Sequence, residues 1–208
     1  MINIDRSTTP VPVSLATQRE YRNDDVLDAL YTLFLEKCYL TEEQFRFRNE
    51  IQIDHFIPHQ NQSELRFGWS NLYPASPRAN LLKSNANPDG GYLDPCHPAD
   101  DVETAIIYSV EVGGAVLLQP RDAANVKAVN TAALLTKIHH ELGEAIRLKH
   151  HAVVYAVARW RTTQQDPDRQ KQAEAELELK ALLSRRSSFT MLMRSIDIVD
   201  MLPAEFFD

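Results

Sequence analysis

An α+β fold with a mainly helical C-terminal half follows from three stretches of the chain. Ile51, Ile53 and Phe56 flank Asp54-His55 in a short apolar-alternating run, and Trp69, Leu72 and Tyr73 form a second short segment after a polar loop. Runs of this length and period read as strands. A β-branched stretch from Thr104 to Val112, then Gly113-Gly114, then Ala115 to Leu118 has the form of a hairpin. Beyond Pro120 the text is mainly helical.

Taken in order, residues 1–22 are polar with scattered prolines and read as an extended arm. Asn23 or Asp24 caps a helix in which Val26, Leu27, Leu30, Leu33 and Phe34 recur at helical spacing to about Lys37. The run from Ile51 delivers Asp54 and His55 at a strand end, and Pro58 to Arg66 is polar loop. Pro77 stands where a helix begins, because its missing N–H is unneeded in a first turn; Ala79 to Lys83 continue it. Such a unit can point an Asp, a His and two Asn into one small cleft. Asn85 to Gly91 is turn chemistry that ends the unit, and the proline-containing segment Tyr92–Asp101 is an irregular connection.

The hairpin leads into one helix or two over Ala123–Leu142, another from Ala145 to about Thr163, and a third over Arg169–Leu183. The charged stretch Lys171–Lys180 reads as a solvated face. Phe189–Phe207 regains apolar character and docks back on the body. The chain divides at residues 1–92 and 93–208. Val153, Val154, Val157 and Trp160 share helical spacing and serve either as core or as a docking surface.

A chain of 208 residues has ample material for a core, and its apolar fraction excludes disorder. No apolar run approaches the ~20 residues of a membrane span, and no basic-then-apolar leader opens the chain. Two cysteines far apart make no disulfide framework, which points to a reducing cytoplasm. The net charge of −7 excludes a uniformly basic surface of the kind that holds DNA alone. Either the basic residues gather on one face or another protein supplies the grip.

The chemistry concentrates around Asp54-His55. Asp54 offers a carboxylate and Asn80 a side-chain carbonyl, oxygen donors suited to Mg²⁺, with Mn²⁺ as a substitute. His55, neutral near pH 7, can take a proton from an attacking water. Asn71 can fix the orientation of the loop or of His55 itself. Arg66, Arg78 and Lys83 flank the cleft as phosphate contacts. His59 either contacts phosphate or stays a solvated loop residue, and Asp94 and His97 have no assigned role. His139-His140 and His150-His151 lack the i, i+4 pairing with an acid of a helical zinc site and read as ordinary histidines.

Asp54-His55-Phe56-Ile57-Pro58, Trp69-Ser70-Asn71-Leu72 and Ala79-Asn80-Leu81-Leu82-Lys83 together resemble the HNH nuclease motif, the ββα-metal fold, in its His-Asn-Asn form. The wider frame is similar to the Septu and retron-associated HNH effectors of the PtuB type. That similarity rests on a helix leading into Lys37-Cys38-Tyr39-Leu40-Thr41-Glu42, on Leu93-Asp94-Pro95-Cys96, and on the helical second half. The resemblance implies an HNH endonuclease hydrolysing phosphodiester bonds, DNA in preference to RNA. It assigns His55 as base, Asn71 as orienting residue, and Asp54 and Asn80 as metal ligands. It further implies antiphage defence with an ABC/SMC-like ATPase partner of the PtuA type. The zinc-holding Cys-x-x-Cys pairs of many relatives fall here on Cys38 with Thr41 and on Ser76 with Ala79, so no structural zinc is expected. Packing by Tyr39, Leu40, Trp69 and Tyr73 then takes over that task. Two other classes remain: a non-catalytic HNH-like subunit that binds nucleic acid or protein, and a stand-alone homing or restriction-type nuclease.

Overall fold

A computed structural model describes residues 1–85 and 87–208; Ala86, inside the expected Asn85–Gly91 turn, lies outside the described residues. The fold mixes helices with small antiparallel two-stranded sheets. In chain order the elements are α1 (Asp24–Leu33), β1 (Gln52–His55), the single turn α2 (Ser63–Arg66), β2 (Leu72–Ala75) and α3 (Pro77–Lys83). Then come a turn α4 (Val102–Ala105), β3 (Ile106–Val110), β4 (Val116–Pro120), α5 (Val126–His139), α6 (Gly143–Thr163), α7 (Arg169–Leu183) and α8 (Thr190–Arg194). Among the described residues no helix is long and apolar enough to cross a membrane.

Helix α1 buries Val26, Leu27 and Leu30, as its spacing requires, but ends at Leu33 instead of about Lys37. Leu35 and Glu36 take left-handed backbone angles, φ 55° and 64°, which no helix can continue through. The N-terminal arm departs further from expectation. Met1, Ile2 and Ile4 are buried and Val13–Thr17 forms a 3₁₀ turn, so the arm belongs to the body. Its anchor is Arg6, whose guanidinium lies 4.6 Å from the Tyr73 ring centroid and 4.8 Å from that of Trp69. The same group donates to the backbone oxygens of Trp69 and Leu72.

Strands β1 and β2 pair antiparallel, with His55 opposite Leu72 and Gln52 opposite Ala75. The Ser76 hydroxyl accepts the Ala79 N–H at 3.3 Å and Pro77 fills the first turn of α3, so sequence and cap agree. Behind the pair, Tyr73 is fully buried, its ring centroid 5.0 Å from Tyr39, 5.2 Å from Phe56 and 5.6 Å from Phe34. Tyr39, Leu40 and Trp69 are buried with it. Cys38, Thr41 and Ala79 are buried too, and the Tyr73 hydroxyl donates to Asp94 Oδ1 at 2.6 Å. Asp94 Oδ1 also accepts the Cys96 N–H at 2.8 Å, which gives this residue a structural task the sequence did not reveal.

The second hairpin is shorter at its start than expected, because 102–105 closes into the turn α4 before β3 begins. Helix α5 stops at His139, and a 3₁₀ turn, His140–Leu142, divides it from α6. Val153 and Val157 are fully buried, Val154 packs against the same core, and the Trp160 ring meets Phe206 edge-on at 5.1 Å. That face of α6 therefore packs against the core, with Val154 and Trp160 only partly covered. Helix α7 buries Ala175, Leu179 and Leu183 beneath its charged outer face. The buried side chains, from Met1 to Phe206, form one continuous cluster. Lys37 crosses within it, donating to Ser187 O at 3.0 Å and Thr190 Oγ1 at 3.2 Å.

Candidate functional site

The β1–β2–α3 unit opens on a cleft of about 820 Å³. Asp54, His55 and Asn80 line it, together with Tyr21, Gln52, His59 and Asn61. Among the described residues no lysine or arginine lines it. Asn71 stands behind the cleft and is buried.

Asn80 and Lys83, three residues apart on one face of α3, meet Gln52 and Asp54, two apart on one face of β1. Asn80 Nδ2 thereby donates to Gln52 Oε1 at 3.0 Å, while Lys83 Nζ reaches Asp54 at 3.0 Å from Oδ2 and 3.1 Å from Oδ1. Lys83 also donates to the backbone oxygens of His55 at 3.1 Å and Phe56 at 3.3 Å. The Tyr39 hydroxyl donates to Asp54 Oδ2. Burial pushes the Asp54 carboxyl up from its ordinary range, against the opposing pull of Lys83 and Tyr39.

Asn71 uses both ends of its amide on one loop. Its Oδ1 accepts the Ile57 N–H at 2.7 Å, and its Nδ2 donates to Ile57 O at 2.9 Å and Leu65 O at 2.8 Å. These bonds close the Ile57–Leu65 loop, from which His59 projects, onto the start of β2. Asn71 holds this loop directly, and none of its side-chain hydrogen bonds goes to His55.

His55 has its ring framed on two sides. The Tyr21 ring centroid lies 4.7 Å away and the His59 centroid 4.6 Å away, both edge-on. His55 Nε2 is 3.0 Å from Arg66 O. A carbonyl can only accept, so Nε2 carries the proton and Nδ1 of the neutral ring keeps its lone pair. Burial lowers the His55 pKa below the usual histidine value; the Arg66 carbonyl opposes this, and the nearby His59, Lys83 and Arg66 add to it.

The expected phosphate contacts sit differently from one another. Lys83 is sealed in the interior against Asp54 and has no face toward solvent. Arg78 is exposed but engaged by Glu141, with both guanidinium contacts at 2.5 Å. Arg66 has no side-chain hydrogen bond or ion pair among the described residues; its Nε is buried without a partner, and its guanidinium lies 6.0 Å from the Tyr21 ring. Of the three, only Arg66 keeps its charge free.

Asn80 Oδ1 takes no hydrogen bond among the described residues, since the amide is held through Nδ2. With Asp54 it makes a hard-oxygen pair on one cleft, which fits Mg²⁺ in donor type. Asp54 reaches such an ion only in competition with Lys83. No group of three or more His, Cys, Asp or Glu with metal-binding geometry occurs among the described residues. Sequence reasoning missed Tyr21 and Gln52, because an arm residue and a strand neighbour carry no motif of their own. No family model, curated protein or solved structure matches the chain.

Proposed function

We propose that the chain is a metal-dependent HNH endonuclease built on a ββα-metal unit, β1–β2–α3, cutting phosphodiester bonds in nucleic acid, DNA by preference. One observation carries the reading: Asp54 and His55 from β1 and Asn80 from α3 line one cleft while Asn71 clamps the loop beside them. The His55 tautomer adds support, because Arg66 O leaves Nδ1 as the proton acceptor a general base requires. Asp54 and Asn80 would hold Mg²⁺, or Mn²⁺ in its place. The ion, when bound, supplies charge stabilisation at the scissile phosphate and the leaving oxygen. His55 Nδ1 takes the proton of the attacking water, and Tyr21 and His59 hold its ring against rotation.

A cleft without lysine or arginine suits a nuclease whose substrate is held by another protein. The resemblance to the PtuB-type effectors names that protein as an ABC/SMC-like ATPase of a cytoplasmic antiphage system. The test is nicking of supercoiled plasmid with Mg²⁺ or Mn²⁺ by the parent chain and by His55→Ala, alone and with the ATPase encoded beside it. Loss of a positioned base costs ~10²–10⁴ in rate; equal nicking by both forms removes the reading. One observation favours a second reading, a non-catalytic HNH-like binding subunit: the Asp54 carboxylate is already neutralised by Lys83. Metal-supported, His55-dependent cutting excludes it.

A further inference from the structure

We infer that His59 is a second histidine of the reaction, donating a hydrogen bond from Nε2 to a non-bridging oxygen of the scissile phosphodiester. This rests on the nuclease reading of the cleft and adds to it a residue outside the motif. The backbone N–H of Asn61 lies 3.1 Å from His59 Nδ1 and can only donate, so Nδ1 is unprotonated and the ring proton sits on Nε2. His55 is fixed the opposite way, its Nε2–H spent on Arg66 O and its Nδ1 open. The two rings lie 4.6 Å apart and line the same cleft. A backbone group pins one nitrogen of each. The pair therefore presents one acceptor and one donor side by side, the complement needed by a water to be deprotonated and a phosphoryl oxygen gaining charge.

The loop that carries His59 is built to hold this arrangement. Asn71 grips Ile57 through both its N–H and its C=O, Pro58 fixes one backbone angle, and the Asn61 N–H that meets His59 comes from a left-handed turn. Gln60 and Asn61 take φ of 45° and 66°, a conformation that asparagine tolerates better than most residues. With no lysine or arginine lining the cleft, a ring N–H is the donor best placed beside the base.

Two substitutions separate the nitrogens. His59→Asn mimics Nδ1, keeping the bond to Asn61 and losing the outer donor; His59→Gln carries an amide N–H near the position of Nε2. His59→Asn is expected to lower kcat by about tenfold or more, as for loss of one preorganised donor, with His59→Gln recovering much of it. Thermal stability of both should match the parent. A phosphorothioate at the scissile bond should slow the parent and leave His59→Asn little affected. Equal kcat for His59→Asn and parent, where the parent cuts in a His55-dependent manner, overturns the His59 role and spares the nuclease reading. If the parent shows no His55-dependent cutting, the nuclease reading falls. The His59 contact is then decided by ¹⁵N resonances of its ring on titration with dimethyl phosphate: a shift confined to Nε2 supports it, and no shift overturns it.

Discussion

The Lys83 ammonium and the Asp54 carboxylate form a buried ion pair that ties α3 to β1 at 3.0 Å, with side-chain exposures of 1% and 4%. Neither charge reaches bulk water, and each is completed by further partners: Tyr39 on the carboxylate, the carbonyls of His55 and Phe56 on the ammonium. The pair fixes the strand end that carries His55, and through Asp54 it borders the cleft itself.

Breaking such a pair from one side leaves a buried charge uncompensated, at a cost of ~3–5 kcal/mol. Lys83→Met is expected to lower stability by that amount in urea unfolding. The double variant Lys83→Met/Asp54→Asn should regain much of the loss, because the stranded charge is gone. A single-variant cost below ~1 kcal/mol would mean the pair does not hold the unit.

Asn71 offers the second stability test. Asn71→Ala strips the Ile57 N–H and the Ile57 and Leu65 carbonyls of partners and should cost about 2–4 kcal/mol, from ~0.5–1.5 kcal/mol for each of the three hydrogen bonds lost. Asn71→Asp should be worse, since a carboxylate then faces two carbonyls it cannot bond. Hydrogen exchange at the Ile57 amide should accelerate in both, and an unchanged Ile57 rate would remove the loop-clamp role.

Asn80 gives the cleaner metal test, because its single side-chain bond goes to exposed Gln52. Asn80→Ala should unfold within ~0.5 kcal/mol of the parent. Its Mg²⁺ requirement for nicking should rise by about tenfold or more, the scale on which partners of a metal site act. An unchanged metal titration removes Asn80 from the ligand set.

The parts of the fold legible in the sequence were those with local chemistry. Pro77 at the start of α3 with its Ser76 cap, the alternation into Asp54-His55, and the 3.6-residue spacing of α1 all act within a few residues. The arm departs from the extended reading because its apolar residues are few and its anchor is a charge: the half-buried Arg6 packs on rings more than sixty positions away, which no local pattern records. Lys83 read as a phosphate contact because lysine is usually exposed; its partner Asp54 lies 29 residues back, and only the α3–β1 crossing reveals the pair. The α6 valines could not be told apart as core or docking face without knowing what covers them.

A buried histidine sets an acid limit. His139 is held neutral by burial, its pKa pushed down to about 4 from an ordinary 6.5, even though Leu135 O accepts from Nδ1 at 2.8 Å and favours the charged ring. Below pH ~6.5 the unfolded chain binds this proton and the folded chain does not. Stability is thus fully present above that pH and is lost as pH falls toward 4, by about 3 kcal/mol at 1.36 kcal/mol per unit. His139→Met should flatten this part of the profile in urea midpoints between pH 7 and 4.5. An identical slope in parent and variant rejects it.

The isolated chain should hold DNA weakly. The net charge of −7 opposes approach to a polyanion, and the cations near the cleft are largely spent. Lys83 is sealed against Asp54, Arg78 is clamped by Glu141, and Arg66 alone keeps a free guanidinium. Few phosphates can then be neutralised, so affinity should be low and only weakly salt-dependent, since the slope of log K against log salt is about −0.9 per phosphate contact. A Kd of about 10⁻⁵ M or weaker is expected for a short duplex near physiological salt, the range of non-specific binders. The slope should be no steeper than about −3. Fluorescence anisotropy over a salt series measures both, and Arg66→Gln should reduce the slope by about one. Addition of an ATPase partner that carries the phosphate contacts should steepen the slope and raise nicking together. Nanomolar binding by the chain alone, with a steep slope, would place a basic surface where these residues leave none and would remove the need for a partner.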